Sequence, residues 1–162
     1  MRYKIITYIL FLLFALGLIG IASIVSAQAR PASTYTAYVV RIIDGDTIHV
    51  RDITGEAHRI RLAMIDAPER EQPFGTEATK KISELLRQGT VRLKVKCIDK
   101  YNREVAFVYC EGKDVSAEML KEGMTLHYHM NFDKCEMYDK FEATAKRCHK
   151  GLWSQEKICL LY

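Results

Sequence analysis

The sequence predicts an α+β protein whose main body is a five-stranded Greek-key β-barrel with about three helices. Three strand-like runs of β-branched and aromatic residues come first. A segment with helical spacing of apolar residues then separates them from two further strand-like runs, and two helical segments follow. Short strands with one interposed helix suit a small closed barrel of the OB-fold type.

The first three predicted strands lie between residues 35 and 66. The runs YTAYVVRII and TIHVRD are rich in β-favouring residues, and AHRIRLAMID continues in the same way. Thr54, Gly55 and Glu56 form a turn signal between the second run and the third. The sequence therefore predicts a meander of three strands.

A helix and two more strands follow. Apolar residues at helical spacing predict the helix, and they are Ala78, Ile82, Leu85 and Leu86. Thr76 is its expected N-cap and Gly89 its expected stop. In VRLKVKCI, apolar residues including Cys97 alternate with basic ones, which is typical of a half-buried strand. After the turn DKYNR, the run EVAFVYC predicts the fifth strand.

Two helices are predicted near the C-terminus. Asp114 is expected to cap a short helix, VSAEMLKEG, which Gly123 stops. The segment DKCEMYDKFEATAKRCHK has apolar residues on one side and is predicted to be a longer helix that Gly151 closes. Leu152 and Trp153 are then expected to fold back onto the core.

Residues 1–29 are expected to be an export signal or a membrane anchor. Arg2 and Lys4 precede twenty uncharged residues, 5–24, and Ala27 and Ala29 have the small-x-small arrangement of a cleavage site. The apolar run is longer than the roughly 7–15 residues of a signal core and close to the roughly 20 that span a bilayer. Cleavage after Ala29 and retention as a single-span anchor both stay open. Either way, the working domain is expected to lie outside the cytoplasm.

The rest of the chain is expected to hold one domain. We interpret residues 30–36 as a linker, 37–155 as the domain and 156–162 as a C-terminal tail, a size usual for a single domain. Removing residues 1–29 takes away two of the 24 basic residues and none of the 20 acidic ones, so the net charge falls from +4 to +2. So small a charge excludes a strongly basic nucleic-acid coat, and an anionic ligand must be held by a local cluster.

The five cysteines are Cys97, Cys110, Cys135, Cys148 and Cys159. In an exported domain some pairing is expected. Cys135 and Cys148 cannot bridge each other, because the helix predicted between them separates them by about 20 Å. The sequence leaves the remaining pairings open, and small buried thiols without partners are the alternative.

Acidic residues and isolated arginines gather at the ends of several predicted strands. Two acidic pairs interrupt or end strands, and the arginines follow or precede them; the residues are Asp44, Asp46, Arg61, Asp66, Glu69, Asp99 and Arg103. Taken alone, an Asp-Gly turn is a common hairpin corner, and an arginine is usually a surface ion-pair partner. Their concentration at strand ends, rather than along one solvated face, favours a functional site.

Five segments in this order resemble the staphylococcal nuclease family: IDGDT, RIRLAMIDAPE, QPFGTEA, DKYNRE and AKRCHKGLW. The similarity runs from about Val39 to Trp153. One segment is a modest signal, whereas five in the right order are a strong one. The resemblance implies an OB barrel and an exported Ca²⁺-dependent nuclease that hydrolyses DNA and RNA with little sequence preference and leaves 3′-phosphate ends.

The resemblance also implies one Ca²⁺ site. Asp46 and Asp66 match the carboxylates that hold the ion in the family. The family usually has threonine where this chain has Ala67, and it binds through the backbone carbonyl, which every residue keeps. Thr47 is expected to contribute through water. Two carboxylates, a carbonyl and waters suit Ca²⁺, which takes six to eight oxygen ligands. Asp44 is expected to be a turn residue.

The resemblance assigns the catalytic and substrate-binding residues as well. Glu69 matches the residue proposed to activate or orient the attacking water. Arg61 and Arg103 match the pair that grips the scissile phosphate, for which a planar guanidinium is well suited. Tyr101 and Tyr128 are the expected substrate-contacting aromatics, able to stack on bases without reading sequence.

The expected partner is single-stranded or frayed DNA and RNA, bound by a monomer, with membrane contact only if residues 5–24 are retained. We interpret His127 and His129 as exposed rim residues rather than zinc ligands, because no Cys-x-x-Cys or His-Glu-x-x-His frame surrounds them. The alternative function is a non-catalytic nucleic-acid or ligand-binding module of the same family. Such a module is expected to lack part of the site, whereas this chain keeps both metal aspartates, both arginines and the glutamate.

Overall fold

The structure is a computed structural model that describes residues 33–132 and 135–154. The strands in these ranges are β1 (Thr34–Ile42), β2 (Thr47–Asp52), β3 (Ala57–Leu62), β4 (Ile65–Asp66), β5 (Thr90–Ile98), β6 (Glu104–Cys110), β7 (Lys113–Asp114) and β8 (Leu126–His127). The helices are α1 (Gly75–Leu85), α2 (Val115–Lys121) and α3 (Cys135–Arg147), and a short 3-10 helix (Gly151–Ser154) follows α3. The expected leader and tail lie outside the described residues.

The five long strands close into a mixed barrel, which confirms the predicted fold class. Strand β1 pairs antiparallel with both β2 and β5, β2 pairs with β3, and β5 pairs with β6. Strands β3 and β6 are parallel neighbours, with Ile60 opposite Glu104, and this pairing joins the two ends of the sheet. Because β3 and β6 pair with each other, neither strand is left as an unpaired sheet edge along the paired residues.

Alternation along β5 shows how the sequence builds the core. Val91, Leu93 and Val95 are buried inside the barrel, whereas Arg92 and Lys94 are exposed, as the pattern predicts. The inward position expected for Cys97 is wrong, since its side chain is exposed. The pairing of β5 with β6 shifts register between Val95 and Cys97, and such a bulge reverses the facing of the residues beyond it.

The helix ends follow the predicted signals in part. Asp114 accepts a hydrogen bond from the backbone N–H of Ala117 and caps α2, as predicted. The N-cap predicted at Thr76 is wrong, because α1 begins at Gly75 and its N-cap is Phe74, with a φ of 68°. Leu152 is buried, which confirms that the chain folds back onto the core after α3.

The expectations about export and disulfides fall largely outside the described residues. Among the helices of residues 33–132 and 135–154, none has both the length and the apolar character needed to cross a bilayer. Residues 5–24 are not among them. The four described cysteines form no disulfide with one another, and Cys110 is buried as a small apolar side chain would be. Cys159 lies outside the described residues.

Candidate metal and phosphate site

The break between β1 and β2 is a turn built by Asp44. Its Oδ1 accepts hydrogen bonds from the backbone N–H groups of Asp46, at 3.0 Å, and Thr47, at 2.7 Å. An aspartate that binds the backbone two and three residues ahead stabilises such a turn. The prediction that Asp44 is a turn residue is therefore confirmed.

Gly45 is required at this turn for steric reasons. A Cβ atom placed there would lie 2.7 Å from the Cβ of Ala67 and 2.8 Å from the Cβ of Ala78. The turn thus packs directly against the residue after β4 and against helix α1. This close approach explains why a strand-like run contains a glycine between two aspartates, and it places Asp46 beside the end of β4.

Asp46 is buried and bonded through both carboxylate oxygens. Its Oδ2 lies 2.8 Å from Arg61 Nη1 and accepts the backbone N–H of Ala67 at 2.8 Å, while its Oδ1 accepts the Thr47 hydroxyl at 2.9 Å. Burial raises the pKa of Asp46 to about 7, although Arg61 and the Ala67 N–H act in the opposite direction. The proton and any bound cation therefore compete for this carboxylate near neutral pH.

Arg61 joins the two aspartates. Its Nη1 contacts Asp46, and its Nη2 donates to Asp66 Oδ1 at 2.7 Å. The Arg61 side chain is 10% exposed, whereas that of Asp66 is 54% exposed, so the pair opens toward solvent on the Asp66 side. One cationic group thus contacts carboxylates from two separate segments. The structure thus brings the two predicted metal carboxylates to one arginine, next to the backbone N–H of Ala67.

Arg103 reaches the same cluster from the turn between β5 and β6. Its Nη1 donates to the Thr47 hydroxyl at 3.3 Å, and that hydroxyl binds Asp46. The Tyr101 ring centroid lies 5.3 Å from the Arg103 guanidinium carbon, so aromatic ring and cation are in contact. The structure therefore brings Arg61, Arg103 and both aspartates into one connected network.

Asp99 positions Arg103, a role that the sequence analysis did not assign. Its Oδ1 accepts the backbone N–H groups of Tyr101 and Arg103, and its Oδ2 accepts Arg103 Nε at 2.7 Å. Partial burial raises the pKa of Asp99, but the hydrogen bonds from Arg103 outweigh it and the net pKa is lowered. Asn102 has a φ of 59°, which asparagine tolerates. An aspartate four residues before an arginine in a tight turn was the available sequence signal.

Glu69 lies in an exposed loop whose backbone is held firmly. Its N–H donates to Gln72 Oε1 at 2.8 Å, and its carbonyl accepts the N–H of Gln72 at 2.9 Å. A Cβ at Gly75 would lie 1.8 Å from the Glu69 carbonyl oxygen, so only glycine permits this contact at the start of α1. Among the described residues, no hydrogen bond joins the Glu69 carboxylate to Arg61 or Arg103. Sequence reasoning did not identify Gln72 or Gly75.

The two expected substrate-contacting tyrosines are exposed. Tyr101 is 59% exposed and Tyr128 is 52% exposed, so both rings are available to a ligand. The N–H of Tyr128 donates to the carbonyl of Met64 at 3.0 Å, in the segment between β3 and β4. Tyr128 is thereby fixed near the strand that carries Asp66.

The interpretation of both histidines as exposed rim residues is wrong for His127. The His127 side chain is fully buried, whereas that of His129 is 66% exposed. Pairing of β8 with β4 and packing of the Tyr138 ring, at 5.8 Å between centroids, cover His127. These contacts come from distant segments, so the local sequence did not indicate them.

Comparison with known proteins identifies the family. A family model described as staphylococcal nuclease homologue matches residues 59–155. A protein of Haemophilus influenzae named as an uncharacterized endonuclease is 37% identical over 119 residues, which are 74% of this chain and 66% of that protein. The micrococcal nuclease of Shigella flexneri is 36% identical over 127 residues, with 72% of each chain covered.

A prophage-derived endonuclease of Bacillus subtilis is 35% identical over 127 residues, which are 71% of this chain and 43% of that protein. Across these three relatives the matched region therefore spans between 43% and 72% of their lengths. Arg61, Asp66, Glu69 and Arg103 lie within the residues that the family model matches, and Asp46 precedes them. On the family match and these identities, the chain belongs to the staphylococcal nuclease homologue family.

Proposed function

We propose that this protein is a Ca²⁺-dependent nuclease that hydrolyses phosphodiester bonds of DNA and RNA with little sequence preference and leaves 3′-phosphate ends. The observation that carries the proposal is the network in which Arg61 contacts both Asp46 and Asp66 while Arg103 reaches it through Thr47. Cationic phosphate-binding groups beside carboxylate donors suit phosphoryl chemistry. The nuclease names of the relatives support it.

The donor set determines which cation we propose. Asp46 and Asp66 would hold it through carboxylate oxygens, Ala67 through its backbone carbonyl and Thr47 through water. All of these are hard oxygen donors, which favour Ca²⁺ or Mg²⁺ over softer metals. Bound there, the ion would act as a Lewis acid on the phosphate. An irregular site with a solvent-exposed carboxylate suits the flexible coordination of Ca²⁺ better than the strict octahedron of Mg²⁺.

The side chains of this chain supply the remaining roles. Arg61 and Arg103 bind phosphate oxygens and stabilise the charge that develops as water adds to phosphorus. Glu69 accepts a proton from that water. The bond from phosphorus to the 5′ oxygen then breaks and that oxygen takes a proton from solvent water, so the phosphate stays on the 3′ side and the other product has a 5′ hydroxyl. Asp99 keeps Arg103 oriented through its bond to Nε.

The exposed tyrosines support the proposed substrate class. Bases of a single-stranded or frayed nucleic acid can stack on Tyr101 and Tyr128, and stacking tolerates every base. Such contacts give affinity without reading base edges, which agrees with little sequence preference. We further propose that a monomer carries out the reaction.

The proposed location is outside the cytoplasm. The basic start, the apolar run 5–24 and the small residues at Ala27 and Ala29 support export. Residues 1–29 would serve either as a cleaved signal or as an anchor that keeps the domain at a membrane surface. The expected linker 30–36 is too long at its C-terminal end, because Thr34–Thr36 already pair with β5 as the start of β1. Residues 30–33 would therefore separate the two, and residues 156–162 would form the tail.

Ca²⁺ is expected to switch on cleavage of single-stranded DNA. Fragment 30–162 is incubated with labelled DNA at mildly alkaline pH, with millimolar Ca²⁺ or with chelator, and products are separated by size and tested for 3′-phosphate ends. Products should form with Ca²⁺, and chelator should abolish them because the carboxylates alone supply no Lewis acid. An Asp46→Asn variant serves as the matched control and should be inactive under both conditions. A folded fragment that binds DNA but never cleaves it would instead indicate the binding-module alternative.

Ca²⁺ binding is expected to strengthen as the pH rises through about 7. The pKa of Asp46 is raised from 3.8 to about 7 in the fold. Protonation of Asp46 therefore stabilises the metal-free fold. This contribution is fully present below the unfolded-state pKa of 3.8, and it is lost as the pH rises through about 7. Ca²⁺ needs the ionised carboxylate. The rise in melting temperature that Ca²⁺ produces should thus be larger at about pH 8 than at about pH 5.5.

The Asp46→Asn variant provides the control for this pH dependence. Its side chain cannot ionise, so Ca²⁺ should produce little stabilisation at either pH. Melting curves are recorded by circular dichroism with Ca²⁺ and with chelator. An equal Ca²⁺ effect at both pH values in the unaltered protein would contradict the role of Asp46.

A further inference from the structure

We propose that His127, His129, Cys135 and Asp139 form a second metal site, which binds Zn²⁺ and joins helix α3 to strand β8. One ligand atom from each of the four side chains lies within 4.8 Å of the others. These residues are separate from Asp46 and Asp66, and the inference does not depend on nuclease activity.

The donor atoms of this cluster lie close enough together to share one tetrahedral ion. His127 Nδ1 lies 2.8 Å and His129 Nε2 lies 3.0 Å from Asp139 Oδ1, and His127 Nε2 lies 3.8 Å from Cys135 Sγ. Zn–N bonds of about 2.0–2.1 Å and Zn–S bonds of about 2.3 Å place neighbouring ligand atoms roughly 3.3–3.8 Å apart. Only one ring nitrogen of His127 can bind the ion, and with one donor atom taken from each side chain the four atoms all lie within 4.8 Å of one another. An ion between them would replace the hydrogen bonds that His127 and His129 now make to Asp139 Oδ1.

The chemistry of the donors selects the metal. Two imidazoles and a thiolate are ligands that Zn²⁺ prefers, and a carboxylate completes a four-coordinate set. Ca²⁺ and Mg²⁺ prefer sites built only from oxygen. The cluster is thus chemically distinct from the site at Asp46 and Asp66, where every proposed donor is oxygen.

Burial gives the site a fixed side and an open side. The His127 side chain is fully buried, while Asp139 is 48% exposed and His129 is 66% exposed. His127 is anchored further by its backbone N–H, which donates to Glu142 Oε1 at 2.9 Å. A metal ion can enter from the exposed side and meet one ligand that is already held in place.

The arrangement within the sequence explains why the usual zinc motifs are missing. Cys135 and Asp139 are four residues apart at the start of α3 and so lie on one face of the helix. The two histidines lie two residues apart in the extended segment that begins with β8. The four ligands therefore come from two segments that only the packing of α3 against β8 brings together.

A metal ion here would stabilise the part of the fold that carries Tyr128. Tyr128 lies between the two histidines, and its N–H is bonded to the carbonyl of Met64. Strand β8 pairs with β4, with His127 opposite Ile65 and Leu126 opposite Asp66. Joining α3 to β8 would thus hold one wall beside Asp66 in place, which is a structural role rather than a chemical one.

The test measures zinc bound to the full chain. The full-length protein, kept in mild detergent because of residues 5–24, is stripped of metal under reducing conditions. It is then dialysed against Zn²⁺ with excess Ca²⁺, which occupies oxygen-only sites. We expect retention of one zinc per chain. Replacing Zn²⁺ with Co²⁺ should produce a thiolate-to-metal absorption band, because cobalt bound only by oxygen and nitrogen lacks it.

Matched variants assign the ligands. Cys135→Ser should lose the thiolate band and most of the zinc, whereas Cys148→Ser, which alters an exposed cysteine just after α3, should keep both. His129→Ala changes an exposed side chain, so it should fold normally and still lose zinc. Zn²⁺ should raise the melting temperature of the unaltered protein and of Cys148→Ser, but not that of His129→Ala.

Three results would overturn the proposal. The first is a folded full-length protein that retains no zinc. The second is zinc binding that Cys135→Ser and His129→Ala leave unchanged, since the ion would then lie elsewhere. The third is the finding, by mass spectrometry of the non-reduced protein, that Cys135 is held in a disulfide bond. Circular dichroism of each variant confirms that the loss of zinc does not reflect unfolding.

Discussion

Replacing Arg61 with alanine is expected to lower the rate of DNA cleavage by about two to three orders of magnitude, the usual loss when one preorganised donor to a developing charge is removed. Arg61 is the side chain that contacts both Asp46 and Asp66. Its loss removes the proposed phosphate-binding group and leaves two carboxylates without their shared counter-ion. Steady-state kinetics on single-stranded DNA at saturating Ca²⁺ measure the effect.

The stability of this variant has to be measured with its activity. Removing one partner of a buried ion pair destabilises a protein by about 3–5 kcal/mol, and Asp46 and Arg61 are both largely buried. Saturating Ca²⁺ should offset part of that loss by occupying the carboxylates. Arg61→Lys keeps the positive charge but not the planar pair of donors, so it should fold better and remain strongly impaired.

Arg59→Ala is the matched control for Arg61. Arg59 lies two residues earlier on β3 and is exposed, outside the network of aspartates. Its replacement should change neither the melting temperature nor the cleavage rate appreciably. Near-full activity in folded Arg61→Ala protein would show that this arginine does not bind the scissile phosphate.

Replacing Glu69 with glutamine is expected to lower kcat by about two to four orders of magnitude, which is the usual contribution of a general base. Glutamine preserves the shape of the side chain but cannot accept the proton of the attacking water. Because the Glu69 side chain is exposed and its loop is held through backbone contacts to Gln72, the fold should be unaffected. The substrate KM and the Ca²⁺ affinity should change much less than kcat.

Glu71→Gln is the control for this second prediction. Glu71 is an exposed acid two residues further along the same loop, so the two variants remove the same charge from neighbouring positions. If both variants lost activity equally, the effect would come from the charge of the loop rather than from a base at residue 69. A loss of kcat only in Glu69→Gln, with the Ca²⁺ affinity unchanged in both variants, would support the assigned role.

Much of the fold follows from local sequence patterns. The strand runs, the turn at Gly55, the cap at Asp114 and the return of Leu152 to the core are all present in the structure. Alternation and capping depend on neighbouring residues, so they can be predicted without the fold. Two local predictions were wrong, the N-cap at Thr76 and the inward position of Cys97. A positive φ at Phe74 and a bulge in β5 override the local pattern.

The close contacts that shape the site were not predictable in this way. Gly45 packs on Ala67 and Ala78, and Gly75 packs on the carbonyl of Glu69. The neighbouring sequence shows that one glycine lies in a turn and the other at a helix start, but it does not show what each one contacts. That a larger residue would clash at these two positions can be seen only when the helix and the two loops are packed against one another.

The sequence by itself determined the order of strands and helices and the family, and it predicted the candidate site residues. Only the tertiary structure decided that Arg61 bridges Asp46 and Asp66, that Arg103 reaches Thr47, and that His127 is buried against β4. The physical reason is that elements form from short-range preferences, whereas these contacts join segments that meet when β3 pairs with β6 and the barrel closes. Barrel closure and helix packing depend on the whole chain, so no local pattern specifies which side chains they bring together.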